Sequence, residues 1–219
     1  NATAILAGDG LFVESQRAIG RVLNNTQIVG TVFNNGALAV CVGQAYDKEY
    51  EENQTITLND YLEMIEKKTG ALLSLCMEIP ALLANQDEGV CSQLRKFGYD
   101  IGKGFQIQDD ILEIFSGVEA MGKSLGSDVI ANKQTALTLM ARKLVPQDWN
   151  KFCNGQGSQT IDEKLAGLRT FFEDTGVYEE TTAMADKYFK DAVNALAVVP
   201  NPGREDLLAY TNFIKNREY

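Results

Sequence analysis

An all-α fold is what this sequence predicts, and three observations predict it. Apolar residues recur at spacings of three and four along nearly the whole chain. Sustained two-residue alternation is hard to find, and the turn-forming residues gather in a few short stretches. Helices are expected in order over 2–23, 26–46, 58–78, 88–116, 129–143, 161–174, 177–197 and 204–217.

The first expected helix opens in mid-pattern, with Ala4-Ile5-Leu6-Ala7-Gly8-Asp9-Gly10-Leu11-Phe12 directly behind Asn1, so residues upstream are expected as well. The second ends in the acidic stretch Asp47-Lys48-Glu49-Tyr50-Glu51-Glu52-Asn53-Gln54, which reads as a solvated connection. Asn59 or Asp60 is placed to cap the third, and Pro80 to close it or bend the path beyond it. In the fourth, Val90, Leu94, Phe97, Ile101 and Phe105 step by four, three, four and four, the spacing of a core stripe. Gly117 to Asp128 reads as a glycine-bearing loop, and Pro146 to Thr160 and Pro200-Asn201-Pro202-Gly203 as turns. No internal repeat or domain boundary interrupts this order.

Composition removes several classes of function. The 219 residues are 45% hydrophobic, enough for one sizeable core. A bilayer span needs about 18 or more consecutive apolar residues, and no such run is present, so no transmembrane segment is expected. A formal charge of −10 argues against nucleic-acid binding, which needs a basic surface to displace phosphate counterions. Cys41, Cys76, Cys91 and Cys153 form no Cys-x-x-Cys pair, suggest neither a zinc site nor a disulfide framework, and fit a reducing cytoplasm. The chain has no histidine, which excludes Ser-His-Asp and Cys-His nucleophilic sites and the usual zinc hydrolases. Its chemistry must rest on carboxylates, lysines or a cofactor.

The stretch Phe105-Gln106-Ile107-Gln108-Asp109-Asp110-Ile111-Leu112-Glu113 continues the core stripe into an acidic one. At about 100° per residue, Gln106, Asp109, Asp110 and Glu113 share one helical face, and a well-packed helix delivers them to a fixed place. Downstream come Gly122-Lys123-Ser124-Leu125-Gly126-Ser127-Asp128 and Asn132-Lys133-Gln134-Thr135; upstream, Lys67-Lys68-Thr69-Gly70 adds positive charge and a hydroxyl. Carboxylates and lysines facing one cavity suit a Mg²⁺-bridged diphosphate, because Mg²⁺ takes oxygen ligands and commonly joins a few carboxylates to substrate phosphates.

These segments carry a resemblance. Lys68-Thr69, Gly104-Phe105-Gln106-x-x-Asp109-Asp110-x-x-Glu113, Gly122-Lys123-x-x-Gly126-x-Asp128 and Lys133-x-Thr135 are similar, in this order, to motifs of the trans-prenyl diphosphate synthases, the polyprenyl synthetases. Ala4 to Asp9 and Gly43-Gln44-x-x-Asp47 also resemble segments of that family. The resemblance implies an isoprenoid-synthase-type helical bundle around a central cavity, with residues 1–219 forming one domain that corresponds to the C-terminal two thirds of the family fold. It implies a prenyltransferase that joins isopentenyl diphosphate to an allylic diphosphate, giving a longer all-trans prenyl diphosphate. By the same resemblance Asp109, Asp110 and Glu113 bind Mg²⁺, Lys68, Lys123 and Lys133 hold the allylic diphosphate, and Thr69 and Gln106 place oxygen atoms near the carbocation. Dimerisation through helices in residues 2–46 is implied too.

Two departures qualify the match. The family's first aspartate-rich motif and its isopentenyl diphosphate set have no counterpart in residues 1–100, so they are expected before Asn1, and residues 1–219 alone are expected to turn over poorly. Glu113 stands where aspartate is usual, which keeps the charge and adds a methylene of reach. The rival readings are a noncatalytic or regulatory relative of such a synthase and a class I terpene cyclase. The cyclase would require an Asn-Asp/Ser/Glu metal triad, of which no convincing example is present.

Overall fold

The computed structural model describes residues 2–116, 133–155 and 160–217. Among them the regular elements are helices: α1 (Ala2–Ile19), α2 (Thr26–Glu52), α3 (Leu58–Ile65), a single π-turn (Glu66–Gly70) and α4 (Ala71–Leu83). They continue as α5 (Glu88–Phe115), α6 (Ala136–Leu144), α7 (Pro146–Gly155), α8 (Ile161–Asp174), α9 (Val177–Ala195), a 3₁₀ turn (Leu196–Val198) and α10 (Gly203–Lys215).

The centre of the bundle is α5, which packs chiefly against α4 and α9. Phe97 and Ile101 are each 1% exposed and Ile107 is fully buried, while Val90, Leu94 and Phe105 at the rest of the expected stripe are half-buried. Close helix contact depends on glycine. A Cβ on Gly98 would lie 2.3 Å from Ser74 Cα of α4, and one on Gly102 would lie 2.6 Å from Gly70 Cα of the π-turn, so the α5 backbone meets both where any larger residue would part them.

Several expected boundaries move, each for a physical reason. The segment from Asp47 is no connection: α2 runs on to Glu52, where the Lys48–Glu51 pair at 2.8 Å supports its last turn. α3 is capped by Thr57, not by Asn59 or Asp60. The Thr57 N–H donates to Asp60 Oδ2 at 2.7 Å and the Asp60 N–H to Thr57 Oγ1 at 3.3 Å, a capping box with Asp60 as its third-position partner. Pro80 does not end its helix, since α4 continues to Leu83. Pro146 starts α7 where a turn was expected, as proline at a first helical position leaves unmade only a bond the helix end lacks anyway. α6 begins at Ala136, and residues 129–132 of the expected helix lie outside the described residues.

The expectation that no segment could cross a bilayer is also modified. α2 contains an 18-residue window with hydropathy 1.3, long and apolar enough by composition alone. It nevertheless packs along α4 and the π-turn, with Gly36 and Gly43 buried in those contacts.

Candidate functional site

The helix expected over 58–78 is split by the π-turn, and this irregularity sets the position of Lys68 and Thr69. In a π-turn each N–H reaches back five residues instead of four, which inserts one extra residue and rotates the helix beyond it. The buried positions record it: Tyr61, Met64 and Ile65 precede the turn, Gly70 closes it, Ala71, Ser74 and Leu75 follow, and the step from Ile65 to Gly70 is five. Each side chain of the turn is engaged. Glu66 Oε2 accepts from Lys103 Nζ of α5 at 2.6 Å, Lys67 pairs with Glu63, and Lys68 Nζ pairs with Asp47 Oδ2 of α2 at 2.7 Å. Thr69 Oγ1 donates to Gln106 Oε1 at 3.2 Å.

Two cavities border the acidic stretch of α5. The first, of about 940 Å³, lies between the π-turn and α10 and is lined by Lys68, Thr69, Phe105, Tyr210, Phe213 and Arg217 among others. The second, of about 740 Å³, is lined by Asp110, Glu113, Lys133, Thr135, Arg142 and Trp149 among others. The motif is therefore shared between them. Gln106 bonds to Thr69 on the first cavity, and Asp109 is reached by Arg217, which lines the same cavity. Asp110 and Glu113 border the second together with Lys133.

Burial separates the carboxylates further. The Asp109 side chain is 37% exposed and accepts from Arg217 Nη2. Asp110 is 6% exposed, and its Oδ2 accepts from Tyr61 Oη and from the Ala136 N–H, each at 2.7 Å. Ala136 is the first residue of α6, so this carboxylate satisfies a helix N-terminal donor at the positive end of the dipole. Glu113 is 7% exposed. Among the described residues no three Asp, Glu, Cys or His side chains are gathered as a metal site. Lys123 and the remainder of Gly122 to Asp128 lie outside the described residues.

Four contributors had no role that the sequence alone assigned. Tyr61 is hidden in an apolar helical pattern and only its buried hydroxyl on Asp110 gives it a task. Arg217 donates to Phe105 O at 3.0 Å and sets its guanidinium 3.7 Å over the Phe105 ring, contacts between residues too distant in sequence for spacing to reveal. Lys103 sits on Glu66 and over the Tyr188 ring. Burial opposes its charge, but the Glu66 hydrogen bond and charge outweigh that and hold the ammonium above its usual range. Asp47 was visible within Gly43-Gln44-x-x-Asp47, though nothing in that spacing points to Lys68.

Comparison with known proteins identifies the chain's relatives. A sequence profile described as Polyprenyl synthetase matches residues 1–174. Geranylgeranyl diphosphate synthase of Methanosarcina mazei is 33% identical over 100% of this chain and 67% of its own. Geranylfarnesyl diphosphate synthase of Natronomonas pharaonis is 32% identical over 99% of this chain and 64% of its own. The crystal structure of geranylgeranyl pyrophosphate synthetase from Pyrococcus horikoshii superimposes with a TM-score of 0.88 at 28% identity, covering 100% of this chain and 68% of that one. The chain thus spans about two thirds of the length of these relatives, and by profile, identity and fold it belongs to the polyprenyl synthetase family.

Proposed function

We propose that this chain carries the diphosphate-handling half of a trans-prenyltransferase that condenses isopentenyl diphosphate with an allylic diphosphate in isoprenoid biosynthesis. The observation that carries the reading is the cavity lined by Lys68 and Thr69 of the π-turn, to which α5 is tied by the hydrogen bond between Thr69 and Gln106 and by the pairing of Arg217 with Asp109. In the reaction the allylic C–O bond breaks and diphosphate departs. The double bond of isopentenyl diphosphate forms the new C–C bond, and a proton is lost to restore an alkene. Lys68, Lys123 and Lys133 neutralise the departing diphosphate, and the oxygens of Thr69 and Gln106 face the developing cation. Asp109, Asp110 and Glu113 offer the oxygen donors that suit Mg²⁺. Bound there, Mg²⁺ would supply Lewis-acid stabilisation of the leaving group. The homologous synthases and the oxygen-only donor set support this assignment.

Residues 1–219 form a single domain in this reading, the enzyme is cytoplasmic with no transmembrane segment, and it works as a homodimer. α1 supports the dimer: it has no buried residue, and Ile5, Leu6, Leu11, Phe12 and Val13 are all more than half exposed. The test is incubation of the natural full-length protein with radiolabelled isopentenyl diphosphate, an allylic primer and Mg²⁺. An elongated prenyl diphosphate supports the synthase. A cyclised hydrocarbon would make it a terpene cyclase, and no product would make it a noncatalytic relative.

A further inference from the structure

We propose that Asp47 is a positioning residue for Lys68, acting with Gly43 as one turn of α2 that fixes both the backbone and the charge of the diphosphate-binding lysine. The inference deepens the proposed function and rests on Lys68 holding diphosphate. Two independent contacts meet at Lys68. A Cβ on Gly43 would stand 2.3 Å from Lys68 N and 2.7 Å from Lys67 C and Lys68 Cα, so the α2 backbone is seated directly against the π-turn. Four residues further along the same helix face, Asp47 Oδ2 holds Lys68 Nζ at 2.7 Å, with side chains 17% and 30% exposed. From the opposite side Gly102 of α5 lies against Gly70, and Lys103 ties down Glu66.

A lysine on a π-turn at a cavity wall has four rotatable bonds and about 2 kcal/mol of rotamer entropy to lose when it grips a phosphate. The Asp47 pair removes much of that freedom before substrate arrives. An ammonium has three donors, so one can stay on Asp47 while the others reach phosphate oxygens. Lys103 serves as the contrast, since its ammonium is spent on Glu66 and the Tyr188 ring and supports the turn without lining the Lys68 cavity.

The test is a double-mutant cycle in the natural full-length protein, reading the affinity for dimethylallyl diphosphate with Mg²⁺ by calorimetry. Lys68→Ala should weaken binding about tenfold, as expected for one lost charge-assisted contact. Asp47→Asn should weaken it about fivefold in the wild-type background and leave it unchanged in the Lys68→Ala background, with Asp47→Glu recovering most of the loss. Lys103→Met should lower the melting temperature with less than a twofold effect on affinity. An equal Asp47→Asn effect in both backgrounds, or tighter binding on losing the carboxylate, overturns the proposal while leaving the role of Lys68 intact. If Lys68→Ala itself binds normally, the diphosphate assignment of Lys68 fails and the positioning role falls with it.

Discussion

At Asp110 a carboxylate that is 6% exposed holds the Tyr61 hydroxyl and the Ala136 N–H, so it joins α3, α5 and the start of α6. One residue earlier, Asp109 is far more open and its cationic partner comes from beyond α10. The two should respond differently to substitution. Asp110→Ala removes an acceptor shared by two buried donors, and hydrogen bonds to charged groups are worth about 1.5–3 kcal/mol each. Losing both, about 3–6 kcal/mol, should lower the melting temperature of a chain of this size by roughly 6–24 °C by calorimetry. Asp109→Ala should leave the melting temperature within a few degrees while cutting turnover by about 100-fold or more, the effect of losing one preorganised electrostatic group. A loss of turnover below tenfold would sink the metal-ligand role of Asp109. Arg217 sharpens the same point: its guanidinium neutralises the carboxylate proposed to meet Mg²⁺, so Arg217→Ala should lower the Mg²⁺ concentration for half-maximal activity about threefold. An unchanged or higher Mg²⁺ requirement would show that Arg217 and the metal do not compete.

The π-turn between α3 and α4 is held by charge at both flanks, and it responds to pH through Lys103 together with Lys67, whose ammonium the Glu63 hydrogen bond also holds above its usual range. Glu66, Tyr188 and Asp100 act on the Lys103 ammonium, and the net effect raises its pKa above the ordinary 10.5. Burial also raises the Tyr188 phenol above its ordinary 10.0. A group whose folded pKa is raised contributes stability that is complete below the unfolded value and is lost as pH rises through the folded one. Denaturant midpoints should therefore hold steady up to about pH 10 and fall above about pH 10.5, with a smaller fall in Lys103→Met. An equally steep fall in both proteins would remove Lys103 from the explanation. The existence and order of the helices were legible because a 3.6-residue apolar period survives along the chain, and the whole of α5 could be placed from its stripe. The π-turn was not read, although Ile65 to Gly70 carries its signature, because a single step of five is lost among ordinary threes and fours. The continuation of α2 through Asp47 was hidden by its charge: Tyr46 and Tyr50 stack across one turn there, but the surrounding acids read as solvent. For the site, α5 itself was plain in the sequence, while the partners that engage its carboxylates, Tyr61 on Asp110 and Arg217 on Asp109, are ones only tertiary contact brings close.

For the molecule as a whole, the distribution of exposed apolar surface is uneven, and that asymmetry argues for a partner. α5, α6 and α9 carry the core, whereas α1 buries nothing and presents Leu6 at 70%, Leu11 at 72% and Phe12 at 52% exposure. Leu38 on α2 is 64% exposed as well. Burying apolar surface stabilises by about 25 cal/mol per Å², so even a few such side chains on each of two twofold-related copies repay a large part of the entropy of association. The natural full-length protein should sediment as a dimer at micromolar concentration. Leu11→Glu with Phe12→Glu should weaken that dimer at least 100-fold, because each charge would have to be desolvated against an apolar face. The melting temperature of the separated subunit should fall only modestly, since neither residue contributes to the buried core. Sedimentation as a dimer with unchanged affinity in the double variant would move the interface away from α1.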